Sequence, residues 1–395
     1  MRLQADTRKA GTPLIYCGEG PGVPSTVDLE ALEPEVAARR LERWRPFLKD
    51  RDVILFDHRG CGRSGRDLKW RPETVPPEIF FADAGGALSY LCEESVKARQ
   101  RLVADGARLH GYQAIDAAKD IDALRRELEL DRFMLLGYSY GAQQLMSYLR
   151  VGDAVPSAAV LAGTEGCGDA YKLPLQTDRY FEAQGLLGAY RRAADRIERD
   201  RPRLTLHHRR LDCPFELEVG RFGLALAICR RLYAEGTLSQ LPALLASISR
   251  GESDQLEGWI KRQLPLALRI DGMPYLVDAA SGASRERLEQ IEREQQASAF
   301  GNSMNFPFPQ IGAAWQPPDL GDEYRLDPFS PLPALFVSGD LDWNTPLNQA
   351  RRVAASFPNS TLHVAPGAVH ETLMQNSSTL MCMATFLRSQ DAIGS

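Results

Sequence analysis

Short apolar runs, each closed by a loop rich in glycine or aspartate, mark both ends of the chain. Thr12 to Cys17 is the first and breaks into Gly18-Glu19-Gly20-Pro21-Gly22. Asp52-Val53-Ile54-Leu55-Phe56, Arg132-Phe133-Met134-Leu135-Leu136, Ser157 to Ala162, Pro333-Ala334-Leu335-Phe336-Val337 and Thr361 to Val364 follow. Runs this short, bounded by turn formers, read as strands buried on both faces. Between them lie stretches that read as helices: Pro34 to Leu48, Ala142 to Leu149, Leu373 to Leu387, and Ala114 to Leu128 with apolar positions 115, 118, 121, 124 and 128 near the helical period. Strands alternating with helices predict a mostly parallel central sheet covered on both faces.

The alternation stops between about Gly163 and Pro331, where Arg, Glu and Leu dominate and no apolar run is comparable. The pattern predicts a helical lid inserted over 164–330, above the C-terminal edge of the strands, where open α/β sheets bind ligands. Residues 1–163 and 331–395 then form the sheet domain. Only about ten residues precede the first strand, so the antiparallel edge hairpin usual in this architecture is expected to be missing. The basic stretch Arg191 to Arg210, interleaved with Asp195, Glu198 and Asp200, reads as a solvated lid face.

Gly137-Tyr138-Ser139-Tyr140-Gly141 joins an apolar strand to a helix. A serine on such a turn, with glycine on either side where bulk would clash, reads as a nucleophile elbow. A serine hydroxyl needs a base, and in this arrangement an acid and then a histidine should follow it in the chain. His58 and His110 precede Ser139, His207 and His208 fall in the lid, and His363 lies within the last strand. His370 alone stands in the loop just past that strand, so elimination assigns it as the base. The orienting acid belongs after the preceding strand, where Asp340 and Asp342 compete and spacing does not choose between them. Oxyanion donors are expected from the Tyr140 amide, next after the nucleophile, and from Gly20, where glycine allows close approach of a carbonyl.

These motifs together resemble the prolyl aminopeptidase (proline iminopeptidase) and tripeptidyl aminopeptidase group of α/β-hydrolases. Gly20-Pro21-Gly22 is similar to its G-G-P-G oxyanion loop, and Asp57-His58-Arg59-Gly60-Cys61-Gly62-Arg63-Ser64 to its D-Q-R-G-x-G-x-S. The elbow matches G-x-S-[WY]-G, and Ala117 and Asp120 open a segment similar to A-x-D-x-x-x-L-R. Gly339-Asp340-Leu341-Asp342 with Thr345-Pro346 is similar to G-x-L-D-x-x-T-P, and the resemblance assigns the triad acid to Asp342. It covers roughly half the chain. Glu19 departs from it by replacing a glycine, and His58 by replacing the usual glutamine. The resemblance implies an α/β-hydrolase fold and a serine aminopeptidase releasing proline or a short peptide from peptide N-termini through an acyl-enzyme. Lid acids would bind the substrate ammonium; Glu216 and Glu218 are candidates, and Glu19 beside the oxyanion loop is another.

Composition removes several other classes. A formal charge of −5 and a pI near 5.8 offer no attraction for nucleic acid or anionic membrane. The seven cysteines (17, 61, 92, 167, 213, 229 and 382) are odd in number and widely spaced, which fits thiols in a reducing, cytoplasmic setting. A true start upstream of Met1 would instead allow a secreted protein. His207-His208 near Asp212 and Cys213 does not make a metal set, because adjacent histidines on a helix point about 100° apart. No metal or cofactor is expected, and the partner is a short peptide or small-molecule substrate. Asn305-Phe306-Pro307-Phe308-Pro309 and Trp315 either line an apolar pocket or anchor the lid. The alternative functions are an esterase or amidase of small non-peptide substrates, and a non-catalytic receptor on the same fold. Epoxide and haloalkane hydrolysis would need a carboxylate where Ser139 stands.

Overall fold

The computed structural model describes residues 1–7, 10–26, 32–65 and 67–393. The chain folds into two compact units. The first comprises Met1–Asp67, His110–Ala170 and Leu320–Ser395. Among the described residues its sheet has seven strands, in the order Arg2–Leu3, Val53–Leu55, Leu14–Cys17, Met134–Tyr138, Ala159–Ala162, Ala334–Gly339 and Ser360–Ala365. Every neighbouring pair is parallel except the first, where Arg2 and Leu3 run antiparallel to Ile54 and Val53. In place of a full edge hairpin there is this one short antiparallel strand.

Period-2 alternation divides the strand residues between two buried faces. Leu14, Tyr16, Val53, Leu55, Met134, Leu136, Val160 and Val337 form one core with Trp44 and Phe47 and with Leu380, Met383 and Leu387 of the closing helix Ser377–Ile393. The intervening residues Ile15, Ile54, Leu135, Leu161 and Phe336 are buried as well and face the other side. Burial on both faces is why these strands read as continuous apolar runs in the sequence. The predicted helix Pro34 to Leu48 is two, Pro34–Glu42 and Arg45–Leu48. Pro46 accounts for the break, since it carries no N–H and is tolerated only in a helix's first turn. The predicted closing helix starts later than expected, because a 3-10 turn, Glu371–Met374, precedes it.

The second unit comprises Leu68–Leu109 and Tyr171–Asp319, so its limits differ from the expected 164–330 at both ends. Leu68–Leu109, expected with the sheet, carries the 21-residue helix Ala84–Ala104. It belongs here because Lys69 and Trp70 pair with Asp271 and Ile270. Gly220 and Gly223 also pack so closely on this segment that a Cβ would lie 2.6 Å from the Ala82 oxygen and 2.3 Å from the Phe81 oxygen. Thr164–Ala170 and Leu320–Ser330 belong instead to the first unit. Arg352 bridges Asp169 and Asp327 there, and Arg150 donates to the carbonyls of Tyr324 and Leu326.

A second correction concerns the expectation of a helical insertion without comparable strands. Arg203–His208 and Cys213–Glu218 form an antiparallel hairpin. Leu204, Leu206 and His208 are buried while Arg203, Thr205 and His207 are exposed, so the two adjacent histidines point to opposite faces of a strand. His208 Nδ1 accepts from the Leu211 amide at 2.9 Å. Period-2 alternation was the available signal, hidden by the density of charged residues around it. The N-F-P-F-P segment and Trp315 divide between their two readings. Phe306 and Phe308 line a cavity of about 470 Å³ with Phe222 and Phe300, whereas Trp315 is buried against Gly272 and Tyr275.

Leu136 is fully buried in the central strand and belongs to the core packed with Trp44, Phe47 and the closing helix. Leu136→Ala is therefore expected to lower stability by about 2–5 kcal/mol, measured as a fall in the urea midpoint with an unchanged m-value.

Candidate active site

The site is set by a backbone that turns in too little space. Ser139 has φ 58° and ψ −122°, a region that a non-glycine residue occupies at a cost of about 1–3 kcal/mol. Its amide donates to the Ala162 carbonyl at 3.0 Å, and the helix Tyr140–Val151 begins at the next residue. A Cβ on Gly137 would lie 2.5 Å from the Gly141 oxygen, and one on Gly141 would lie 1.9 Å from the Cys17 oxygen. Glycine at these two places is thus a packing requirement. Close approach to Cys17 and Gly18 also seats the elbow beside the loop that follows the Leu14–Cys17 strand.

Asp342 and His370 reach Ser139 from beyond the ends of the last two strands of the sheet, Ala334–Gly339 and Ser360–Ala365. His370 Nε2 lies 2.9 Å from Ser139 Oγ, and His370 Nδ1 lies 2.8 Å from Asp342 Oδ2. Ser139, Asp342 and His370 are all buried. A carboxylate only accepts, so Nδ1 carries the proton and donates to Asp342, which leaves Nε2 to accept from the serine hydroxyl. Asp342 is itself fixed by the Thr345 amide at 2.9 Å and hydroxyl at 2.7 Å. Asp340, its competitor, is exposed and accepts from the Gly367 amide at 2.7 Å. It braces the loop that carries the histidine, and Asp342 faces the ring.

Three contacts hold the imidazole in place. Tyr138 stacks on it with ring centroids 5.1 Å apart, and the Tyr138 hydroxyl donates to the His370 carbonyl at 2.9 Å. Burial first, then the nearby Glu19 carboxylate, pushes the Tyr138 phenol well above its usual pKa, so it remains a donor. Gly163 supplies the third contact: at φ 52°, a Cβ there would stand 2.8 Å from His370 Cε1. The supports Tyr138 and Gly163 lay outside the motif reasoning. Tyr138 sits at a variable position of the elbow, and Gly163 could have been flagged only as a glycine ending a strand.

Gly20 has φ 132°, and its loop returns so sharply that a Cβ would meet the Gly22 amide nitrogen at 2.8 Å. The Tyr140 amide opens the helix, where N–H groups point outward with the positive end of the dipole. Asp57 and His58 act on the Gly20 loop from the end of the Val53–Leu55 strand. Asp57 accepts from the Thr26 amide and hydroxyl and from the Arg63 amide, and His58 accepts from the Gly22 amide. Arg59 grips both oxygens of Asp120 at 2.6 and 2.5 Å, tying together two segments that the sequence motifs singled out separately.

The remaining candidates are placed elsewhere. Glu19 lines an open groove of about 930 Å³ with Arg43 and Glu371. Glu216 and Glu218 lie on the hairpin of the second unit. Glu218 is 3.4 Å from Arg201 and 3.7 Å from Arg203, Glu216 is 3.9 Å from Arg203, and Arg203 also meets Glu78 at 3.0 Å. Their charge is matched by arginines, which leaves less of it for a substrate ammonium.

A buried Ser–His–Asp chain at the C-terminal edge of a parallel sheet, with its serine on a strained elbow, is the machinery of a hydrolase. The chain belongs to the alpha/beta hydrolase fold family, which matches residues 43–377. Compared with curated proteins, it matches none. Among solved structures it is similar to a thermophilic esterase from Thermogutta terrifontis (16% identity, 99% of this chain and 98% of that one, TM-score 0.42). It is also similar to the meta-cleavage product hydrolase CumD of Pseudomonas fluorescens IP01 (14%, 98% and 93%, 0.44) and to the esterase EaEST of Exiguobacterium antarcticum (15%, 99% and 94%, 0.40). Likeness at this level bears on neither substrate nor mechanism. No helix among the described residues is long and apolar enough to cross a membrane.

Two predictions follow from this geometry. Gly141→Ala places a methyl against the Cys17 carbonyl, and is expected to abolish hydrolysis and to lower Tm in a thermal melt. Burial, partly offset by Asp57 and Asp120, lowers the His58 pKa from 6.5 to about 4. Between those values the unfolded chain binds the extra proton, so stability rises with pH there. The contribution is complete above about pH 6.5 and is lost as the pH falls toward 4. Urea melts at pH 7 and pH 4.5 should show a smaller acid loss in His58→Gln than in the wild type.

Proposed function

We propose that the protein is a serine acyl hydrolase that releases N-terminal residues, proline or a short peptide, from peptide substrates. The observation carrying this reading is the hydrogen-bond chain Ser139–His370–Asp342. His370 Nε2 takes the hydroxyl proton as Ser139 Oγ bonds to the substrate carbonyl carbon. Asp342 holds the tautomer and stabilises the imidazolium that forms. The amides of Gly20 and Tyr140 hold the tetrahedral oxyanion, each worth about 2.7–4 kcal/mol where such donors have been removed. The same proton then passes from His370 to the leaving amine as the C–N bond breaks. Water, deprotonated by His370, resolves the acyl-enzyme and restores the serine.

The peptide part of the reading is supported by the four motifs that resemble the prolyl and tripeptidyl aminopeptidases. A second reading, an esterase or amidase of small non-peptide substrates, is favoured by one observation. Two of the three acids nominated for a substrate ammonium, Glu216 and Glu218, are already faced by Arg201 and Arg203.

Turnover of proline, alanine and alanyl-alanyl-proline anilides, each free or N-acetylated, separates the two readings. Cleavage of the free-amine substrates alone is expected, and the preferred anilide shows how many residues leave. Indifference to acetylation, or hydrolysis of p-nitrophenyl acetate only, would replace the aminopeptidase with the esterase. On any substrate that is cleaved, Ser139→Ala should lower kcat by about 10⁴-fold or more, and Asp342→Asn by about 10⁴-fold.

A further inference from the structure

The loop Gly18-Glu19-Gly20-Pro21-Gly22 has three glycines and a proline, so apart from Glu19 it has no side chain able to hold its own shape by hydrogen bonding. The restraint comes from His58. Its side chain is 1% exposed, and its Nε2 lies 2.9 Å from the Gly22 amide nitrogen. The amide can only donate, so Nε2 must be unprotonated there. The same ring places Cε1 3.6 Å from the position a Gly20 Cβ would take. It also meets the Tyr140 ring edge-on, with centroids 5.8 Å apart. One imidazole therefore holds the Gly20 loop through Gly22 and packs on Tyr140, the two places whose amides are assigned to the oxyanion. Asp57 fixes the far end of the loop through the Thr26 amide and hydroxyl at 2.6 and 2.5 Å.

The charges of Asp57 and Asp120 both favour protonation of this ring, and burial outweighs them. Burial thus favours the neutral ring, the form whose Nε2 can accept from the Gly22 amide.

We infer that His58 is a positioning residue for acyl transfer: as the acceptor for the Gly22 amide, packed on Tyr140, it aims the Gly20 amide at the point where the oxyanion develops. The inference rests on the oxyanion reading given above. A residue that only supports the fold changes stability. One that aims an oxyanion donor changes kcat and leaves KM nearly alone, because those bonds strengthen in the transition state.

The test compares wild type, His58→Gln, His58→Phe and Ser139→Ala on whichever anilide or p-nitrophenyl ester the wild type cleaves. Glutamine keeps an acceptor oxygen; phenylalanine keeps a ring and removes the acceptor. His58→Phe is expected to lose about 10- to 100-fold in kcat with KM within about threefold, and His58→Gln to recover most of the loss. A folded His58→Phe with kcat within about twofold of wild type, or a His58→Gln as impaired as His58→Phe, would overturn the inference. Undiminished hydrolysis by Ser139→Ala would instead sink the underlying reading and the inference with it, whatever the His58 variants do. The nitrogen-15 spectrum of histidine-labelled wild type asks the same question without a variant that must fold. An unprotonated Nε2 with Nδ1–H at neutral pH is expected for His58, and a protonated Nε2 contradicts the inference.

Discussion

Everything at the site depends on the backbone of Ser139, held at φ 58° where no side chain favours it. The conformation costs about 1–3 kcal/mol in isolation, so the surroundings must enforce it. They do so by contact: Gly137 against Gly141, Gly141 against Cys17, and the Ser139 amide on Ala162. The sheet is thus packed closely enough to hold the turn from strand to helix in this path. Three strands take part, each fully buried.

The same economy governs the partners of the serine. Four parts of the site are each fixed by a second group: Asp342 by Thr345, the His370 loop by Asp340, the His370 carbonyl by Tyr138 and the Gly20 loop by His58. Because a buried polar atom is costly unless bonded, these supports also hold the His370 ring in its orientation. The preorganisation that the proposed acyl transfer needs follows from satisfying hydrogen bonds in a buried site.

The sheet and the triad were legible in the sequence because both rest on local patterns. Strands buried on two faces leave apolar runs, an elbow demands glycine on either side of a serine, and chain order together with placement in lid or strand sets aside every histidine but His370. The choice of Asp342 over Asp340 was not legible from spacing, because both follow the same strand; it depends on which carboxylate turns inward, a matter of loop geometry. The second unit was harder. The membership of Leu68–Leu109 depends on long-range contacts that leave no local mark, such as Gly223 against Phe81. The hairpin at Arg203–Glu218 alternates apolar and polar residues only over two six-residue strands, and its arginines and glutamates resemble a solvated helix. Substrate recognition was the least legible, since the acids nominated for it had no pattern beyond their sign.

The central claim is that Ser139 is a nucleophile activated by His370. The most direct measurement is peptide-resolved mass spectrometry after brief exposure to a fluorophosphonate, with wild type, His370→Ala and Ser139→Ala side by side. The account predicts a single adduct on the Ser139 peptide of the wild type, formed far more slowly in His370→Ala and absent in Ser139→Ala. An unlabelled Ser139 in folded wild type, or equal labelling in His370→Ala, would contradict it.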